Sequence, residues 1–231
     1  MSALETAIDA TASACTDMSL LGTFSENQDQ PRFPSINGDV APDTNVIAFT
    51  MLTDGIPIIY QGQEQHYDGA GQVGVPYNRA ALWFSDYDTS APLYSVIATF
   101  NQIRKAAIAD DSTFLTTKMS AIATDNSTLA VKKGKLAMVL TNTGYGQANT
   151  SYTMTAGYDA GLELTELLTC DTLTADSSGN VFTYMGAGQP KIFYPTASLS
   201  QGLCGASTKK KPRSIGSSAK FPKKPTKAMV I

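Results

Sequence analysis

Hydrophobic and polar positions alternate between two regimes along the 231 residues. In the first half, apolar residues keep helical spacing or form unbroken runs. Leu4, Ala7, Ile8 and Ala12 predict a helix over 2–14, with Ser2 and Glu5 spaced as a capping box. An apolar run over Leu20–Phe24 reads as a strand, and Ile56–Tyr60 as a second. Between them Val46, Ile47, Thr50 and Met51 share a helical face that starts with Asp43 as N-cap and stops at Gly55. After a long loop, Gln61–Asp88, a helix is predicted with Pro92 in its first turn and Leu93, Val96, Ile97, Phe100 and Ile103 on one stripe, ending near Asp110.

From Ser112 the period shortens. Leu129–Lys133 and Lys135–Thr141 read as a hairpin joined at Gly134. Short strand candidates follow at Ser151–Thr155, Leu162–Leu168, Val181–Tyr184 and Lys191–Tyr194, an antiparallel sandwich pattern. The expected fold class is α/β plus all-β. Its organisation is 1–111, the last strand-helix units of a (β/α)8 barrel; 112–205, an antiparallel β-sandwich; and 206–231, a tail.

Both early strands break abruptly into polar residues, as strands do at the mouth of a parallel barrel. Glu26, Asp29 and Arg32 follow the first; Gln61, Glu64 and His66 follow the second. A complete barrel needs roughly 250 residues, so the chain reads as a piece of a larger enzyme.

Charge separates the tail from the rest. Residues 206–231 carry +8 with no acid, and the remainder −11. Such a basic, apolar-poor segment buries too little surface to offset its ordering entropy and is predicted to be disordered. It lacks the interleaved aromatics of a nucleic-acid binder, so nucleic acid is not an expected partner. No apolar stretch approaches the 18 or so residues of a membrane span, and Met1–Glu5 lacks the basic and apolar pattern of a signal peptide.

Phe24-Ser-Glu-Asn-Gln-Asp29 followed by Pro31-Arg32-Phe33 resembles the fourth conserved region of α-amylases in glycoside hydrolase family 13. Gly55-Ile-Pro-Ile-Ile-Tyr60 with Gly62-Gln-Glu-Gln-His-Tyr67 resembles the last barrel strand of the fungal-type (Taka-amylase-like) members. The resemblance runs to about Gly205, so 112–205 resembles the Greek-key domain that follows the barrel in α-amylases. It implies an α-1,4-glucan as substrate and secretion, with the chain starting at an internal methionine.

Among site residues, the resemblance makes Asp29 the third acid of a retaining glycosidase, which holds sugar hydroxyls and favours the oxocarbenium-like transition state without attacking. It implies Gln28, Arg79 and Arg32 as substrate contacts. The family's nucleophile and acid/base come from earlier strands, and no residue here matches either; Glu26 and Glu64 match loop positions. The isolated chain is therefore expected to be inactive, and either poorly soluble or folded only over 112–205, the missing barrel half being a candidate partner. Calcium is expected in full-length relatives through upstream residues, with no cofactor in this chain.

Departures from the family matter. Gln28 stands where efficient hydrolases carry histidine, and Val75 where fungal members carry aspartate; both leave a 4-α-glucanotransferase or a non-catalytic remnant as alternatives. Trp83, the sole tryptophan, reads as packing beside Leu82, with sugar stacking as the other reading. His66, the sole histidine, reads as a loop hydrogen-bonding residue. Family likeness also pairs Cys170 with Cys204 and leaves Cys15 either a free thiol or half of a lost disulfide. Asn126-Ser-Thr128 and Asn149-Thr-Ser151 are glycosylation sequons.

Overall fold

The computed structural model describes residues 1–69, 76–146, 150–199 and 202–204. Val75, Asn149 and the basic tail lie outside the described residues.

Helix α1 spans Ser2–Ala14, as its spacing predicts, and buries Ile8. Its N-cap is Met1, so Ser2 is already helical and the Ser2/Glu5 box does not form. The first strand is shorter than expected. Met18–Leu20 forms a 3-10 turn capped by Asp17, leaving only Gly22–Thr23 as β1. It pairs in parallel with β2, Ile56–Pro57, through Gly22↔Ile56 and Thr23↔Pro57. A strand ladder extends only as far as a neighbour does. Here Leu20, Phe24 and Ile58 beside the pair, and Ile56 within it, remain exposed.

After a one-turn helix α2 (Phe33–Ile36), α3 spans Val40–Leu52. Asp39 caps it, accepting from the Ala41 N–H at 2.9 Å. The expected N-cap, Asp43, instead lies buried in the first turn. Gly55 adopts φ +88°, and a Cβ there would meet the Leu21 carbonyl oxygen at 2.5 Å, so glycine is required where α3 turns into β2. Helix α4, Tyr94–Asp110, begins after Leu93, which places Pro92 just before the first turn rather than within it. Arg104 from α4 donates to the carbonyls of Met51, Thr53 and Gly55 at 2.9, 3.2 and 2.8 Å, satisfying acceptors that the end of α3 leaves open.

The remaining strands are β3 (Ser120–Thr124), β4 (Thr128–Lys133), β5 (Leu136–Thr141), β6 (Thr150–Thr155), β7 (Glu163–Glu166), β8 (Thr172–Thr174), β9 (Asn180–Met185) and β10 (Lys191–Pro195). Six form one antiparallel sheet in the order β3-β4-β5-β10-β7-β8, and β6 pairs with β9 over it. Alternation along the central strands sends Leu136, Met138, Leu140, Leu129, Val131, Ile192 and Tyr194 to one face, where they pack with Ile47, Met51, Phe100 and Ile103 of α3 and α4. Ala130, Ala137, Val139 and Phe193 point the other way, onto Met154 and Val181 of the β6–β9 pair. Double-sided burial explains why Leu136–Leu140 reads as an unbroken apolar run. The larger core thus crosses the 111/112 boundary read from the sequence. Cys170 and Cys204 are joined by a disulfide. Cys15 is free, its thiol 3.4 Å from the Asp17 carbonyl oxygen.

Candidate active site

Chain direction places the site. Because β1 and β2 run in parallel, the segments leaving their C-terminal ends emerge on the same side. Loop 24–32 is bent by Asn27, whose side-chain oxygen accepts from the Asp29 and Gln30 N–H groups at 2.8 and 2.9 Å. Arg32 then fixes that loop to its neighbours. Its guanidinium is fully buried, pairs with Glu26 at 3.0 Å, and donates to the carbonyls of Gln61 (2.8 Å) and Asn78 (3.0 Å). It also lies 4.2 Å from the Tyr60 ring centroid. The second Glu26 oxygen accepts from the Phe33 N–H at 2.9 Å. Glu26 is therefore an internal brace, and Arg32 faces protein on every side instead of an open cleft.

On this brace three expected site residues meet. Arg79 Nη2 reaches Asp29 Oδ1 at 2.9 Å, while its Nε donates to the Gln28 carbonyl at 3.1 Å. Gln28 Nε2 donates to the other Asp29 oxygen at 3.1 Å. Asn78 Nδ2 also donates to the Gln28 carbonyl. The Asp29 and Arg79 side chains remain 61% and 59% exposed. An ion pair this open stabilises the fold by less than about 1 kcal/mol; what it does is orient a carboxylate whose oxygens stay accessible. Asn78, which sequence reasoning overlooked, and Asn27 complete the arrangement. The only signal for Asn78 was its place beside Arg79.

The other mouth residues are structural. Glu64 accepts from the Gly62 N–H at 3.0 Å, and Gln61 Nε2 donates to the Ala80 carbonyl at 3.1 Å. His66 is buried at φ +56°, with Nε2 3.6 Å from Asp43 Oδ2. Burial pushes the Asp43 carboxyl up to about 8, reinforced by the charge of Glu26, and pulls the His66 pKa down against the opposing pull of Asp68 and Asp39. Both shifts run toward the neutral forms, the consequence of burying two ionisable groups side by side. Trp83 does not pack as expected: it is 63% exposed.

Among the described residues no group of three or more His, Cys, Asp or Glu side chains is placed to hold a metal ion. Nor is any described helix long and apolar enough to cross a membrane.

Comparison with known proteins agrees with this layout. Residues 1–157 match the family profile of the alpha amylase catalytic domain, and residues 121–212 that of alpha-amylase domain C. Alpha-amylase 1 of Schwanniomyces occidentalis is 38% identical over 208 residues, covering 88% of this chain and 40% of that protein. Alpha-amylase 1 of Lipomyces kononenkoae is 45% identical over 210 residues, covering 88% and 33%. The solved structure of an alpha-amylase from Malbranchea cinnamomea superposes with a TM-score of 0.82 at 44% identity, over 86% of this chain and 42% of that one. The chain thus spans about two fifths or less of the length of the curated relatives cited here. A parallel strand pair delivering an arginine-held aspartate, backed by an antiparallel sheet and matched over both segments, has one consistent assignment: the chain belongs to the alpha-amylase family, with its fungal members among its relatives.

Proposed function

We propose that this chain supplies one wall of the substrate site of a secreted, fungal-type α-amylase acting on α-1,4-glucans such as starch, glycogen and maltooligosaccharides. The observation that carries the reading is the Gln28–Asp29–Arg79 cluster at the C-terminal end of the parallel pair. In a retaining glycosidase two carboxyl groups break and remake the bond. In this reading neither belongs to the present residues; they lie on the portion of the relatives that this chain does not span. Asp29 is the third acid. Held by Arg79 on one oxygen and Gln28 on the other, its carboxylate accepts hydrogen bonds from sugar hydroxyls that strengthen as the ring flattens toward the oxocarbenium ion.

Arg79 doubles as a donor to hydroxyls. Arg32 acts through the loop it braces and is a positioning residue, not a sugar contact. Any calcium would be held by upstream residues, since the described carboxylates do not gather to fit one. Exposed Asn126, in the turn between β3 and β4, suits glycosylation in a secretory route.

The test joins this chain to the upstream segment of the Schwanniomyces occidentalis relative. The fusion is expected to shorten maltooligosaccharides, and Asp29→Asn to lower kcat about 10²- to 10³-fold with little change in KM. A fusion whose Asp29→Asn variant keeps kcat within tenfold would remove Asp29 from the chemistry. Gln28 favours one second reading, transfer of glucan segments, because an amide replaces the imidazole of efficient hydrolases and cannot titrate near neutrality. Oligosaccharides longer than the starting material would support transfer; shorter products alone would support hydrolysis.

A further inference from the structure

Three aromatic side chains stand open to solvent within five residues: Trp83 at 63%, Phe84 at 72% and Tyr87 at 58% exposure. Each forgoes roughly 1.5–3 kcal/mol that burial of a large apolar group brings. Their backbone is nonetheless firmly held. Tyr67 Oη donates to the carbonyls of Ala81 and Leu82 at 3.3 and 3.2 Å, Gln65 Nε2 to that of Asp88 at 3.1 Å, and Ser85 Oγ to that of Leu82 at 2.7 Å. Asp86 and Tyr87 both take left-handed φ values, 52° and 54°, a conformation that costs a non-glycine residue about 1 kcal/mol or more. A segment pinned at both ends and strained in the middle presents its rings as a fixed surface.

The surface lies close to the candidate site along the chain. Trp83 follows Arg79 by four residues, so at most about 14 Å of extended chain separates them, and Gln61 bonds the Ala80 carbonyl in between. Trp83 and Phe84 meet edge to face, centroids 5.9 Å apart at 61°, which turns their faces to different directions. A pyranose ring carries its hydroxyls around the rim and C–H bonds on its faces. Those C–H groups, weakly positive, suit the negative π face of an aromatic ring.

Resting on the function proposed above, we infer that Trp83 and Phe84 form a platform that grips an α-1,4-glucan chain outside the reacting position at Asp29. It selects for long substrates.

The chain as it stands serves for the test once limited proteolysis shows residues 1–111 as well protected as 112–205, because binding itself needs no bond cleavage. In native gels containing amylose the wild-type chain is expected to be retarded, and hydroxyethylcellulose to have no such effect. Trp83→Ala should weaken apparent affinity about 5- to 10-fold, and Trp83→Phe, which keeps a ring, should retain most of it. Because Trp83 is the sole tryptophan, adding maltoheptaose to the wild type should shift its emission directly. No retardation of the wild type, or equal retardation of wild type and Trp83→Ala, would overturn the platform. So would a Trp83→Ala variant that breaks up an oligomer while keeping its amylose affinity, since the patch would then belong to a second copy of the chain. The Asp29 reading is judged separately, by the activity of the fusion, so either can fail alone.

Discussion

Lys133→Met is expected to destabilise the chain by about 3–5 kcal/mol, lowering its melting temperature by roughly 6–20 °C for a protein of this size. Lys133 ends β4, and its ammonium sits 2.5 Å from Asp54 Oδ1, both side chains almost entirely removed from water. It also donates to the Thr117 carbonyl and lies 5.2 Å from the Phe114 ring centroid. Asp54 accepts from the Met119 N–H with both oxygens, at 3.0 and 3.1 Å. The pair therefore ties the sheet to the turn between α3 and β2. Removing the cation leaves a dry carboxylate held only by the Met119 N–H and the nearby charge of Arg104, which is far worse than removing both partners. Thermal denaturation of Lys133→Met and of the double variant Lys133→Met/Asp54→Leu checks this. The double variant should recover much of the loss, and a single-variant loss below about 1 kcal/mol would show that the pair is not coupled.

Asp43→Asn is expected to change how stability depends on pH. The folded-state pKa of Asp43 is raised to about 8, whereas an unfolded aspartate titrates near 3.9. Between those values the folded chain holds a proton that the unfolded chain has released. Stability from this group is therefore fully present below about pH 4 and falls as pH rises toward 8, by up to about 1.4 kcal/mol per pH unit. His66 works in the opposite sense, its lowered pKa costing stability as pH falls below its unfolded value near 6.5. Other charges near the pair are Glu26, itself bound to Arg32, and Asp68 and Asp39. With asparagine at 43 the Asp43 slope disappears. Urea denaturation at pH 5, 6.5 and 8 should show the variant gaining on the wild type by several kcal/mol from the lowest to the highest pH. Parallel profiles would place Asp43 in contact with water.

Much of this architecture was legible because the residues carry it locally. The β4–β5 hairpin announced itself through an apolar run broken at Gly134, which adopts φ +58°. Helices α1 and α4 followed their stripes. Other features depend on partners that no local pattern reveals. Strand β3, built of small residues and bulged between Ala121 and Ala123, and the three-residue β8 were overlooked because edge strands need little hydrophobicity. The cap of α3 is Asp39, four residues before the expected Asp43, and the helix takes in Pro42. A proline at the third helical position is tolerated, since the first four N–H groups have no intrahelical partner.

In the site, Gln28, Asp29 and Arg79 were named from motif position and the structure brings them together. The brace beneath them was invisible, because Arg32 reads as a mouth residue until its partners are known, and besides Glu26 in its own loop these are the distant Gln61 and Asn78 carbonyls.

The interior shared by α3, α4 and the central strands bears on exchange of parts between relatives. A recombination crossover at Asp111/Ser112 would hand the sheet face of Leu129, Val131, Met138 and Ile192 to helices that had never been fitted to it. Offspring that inherit residues 40–199 from one parent keep that seam matched, and among shuffled progeny those are the ones that should survive a screen for soluble protein.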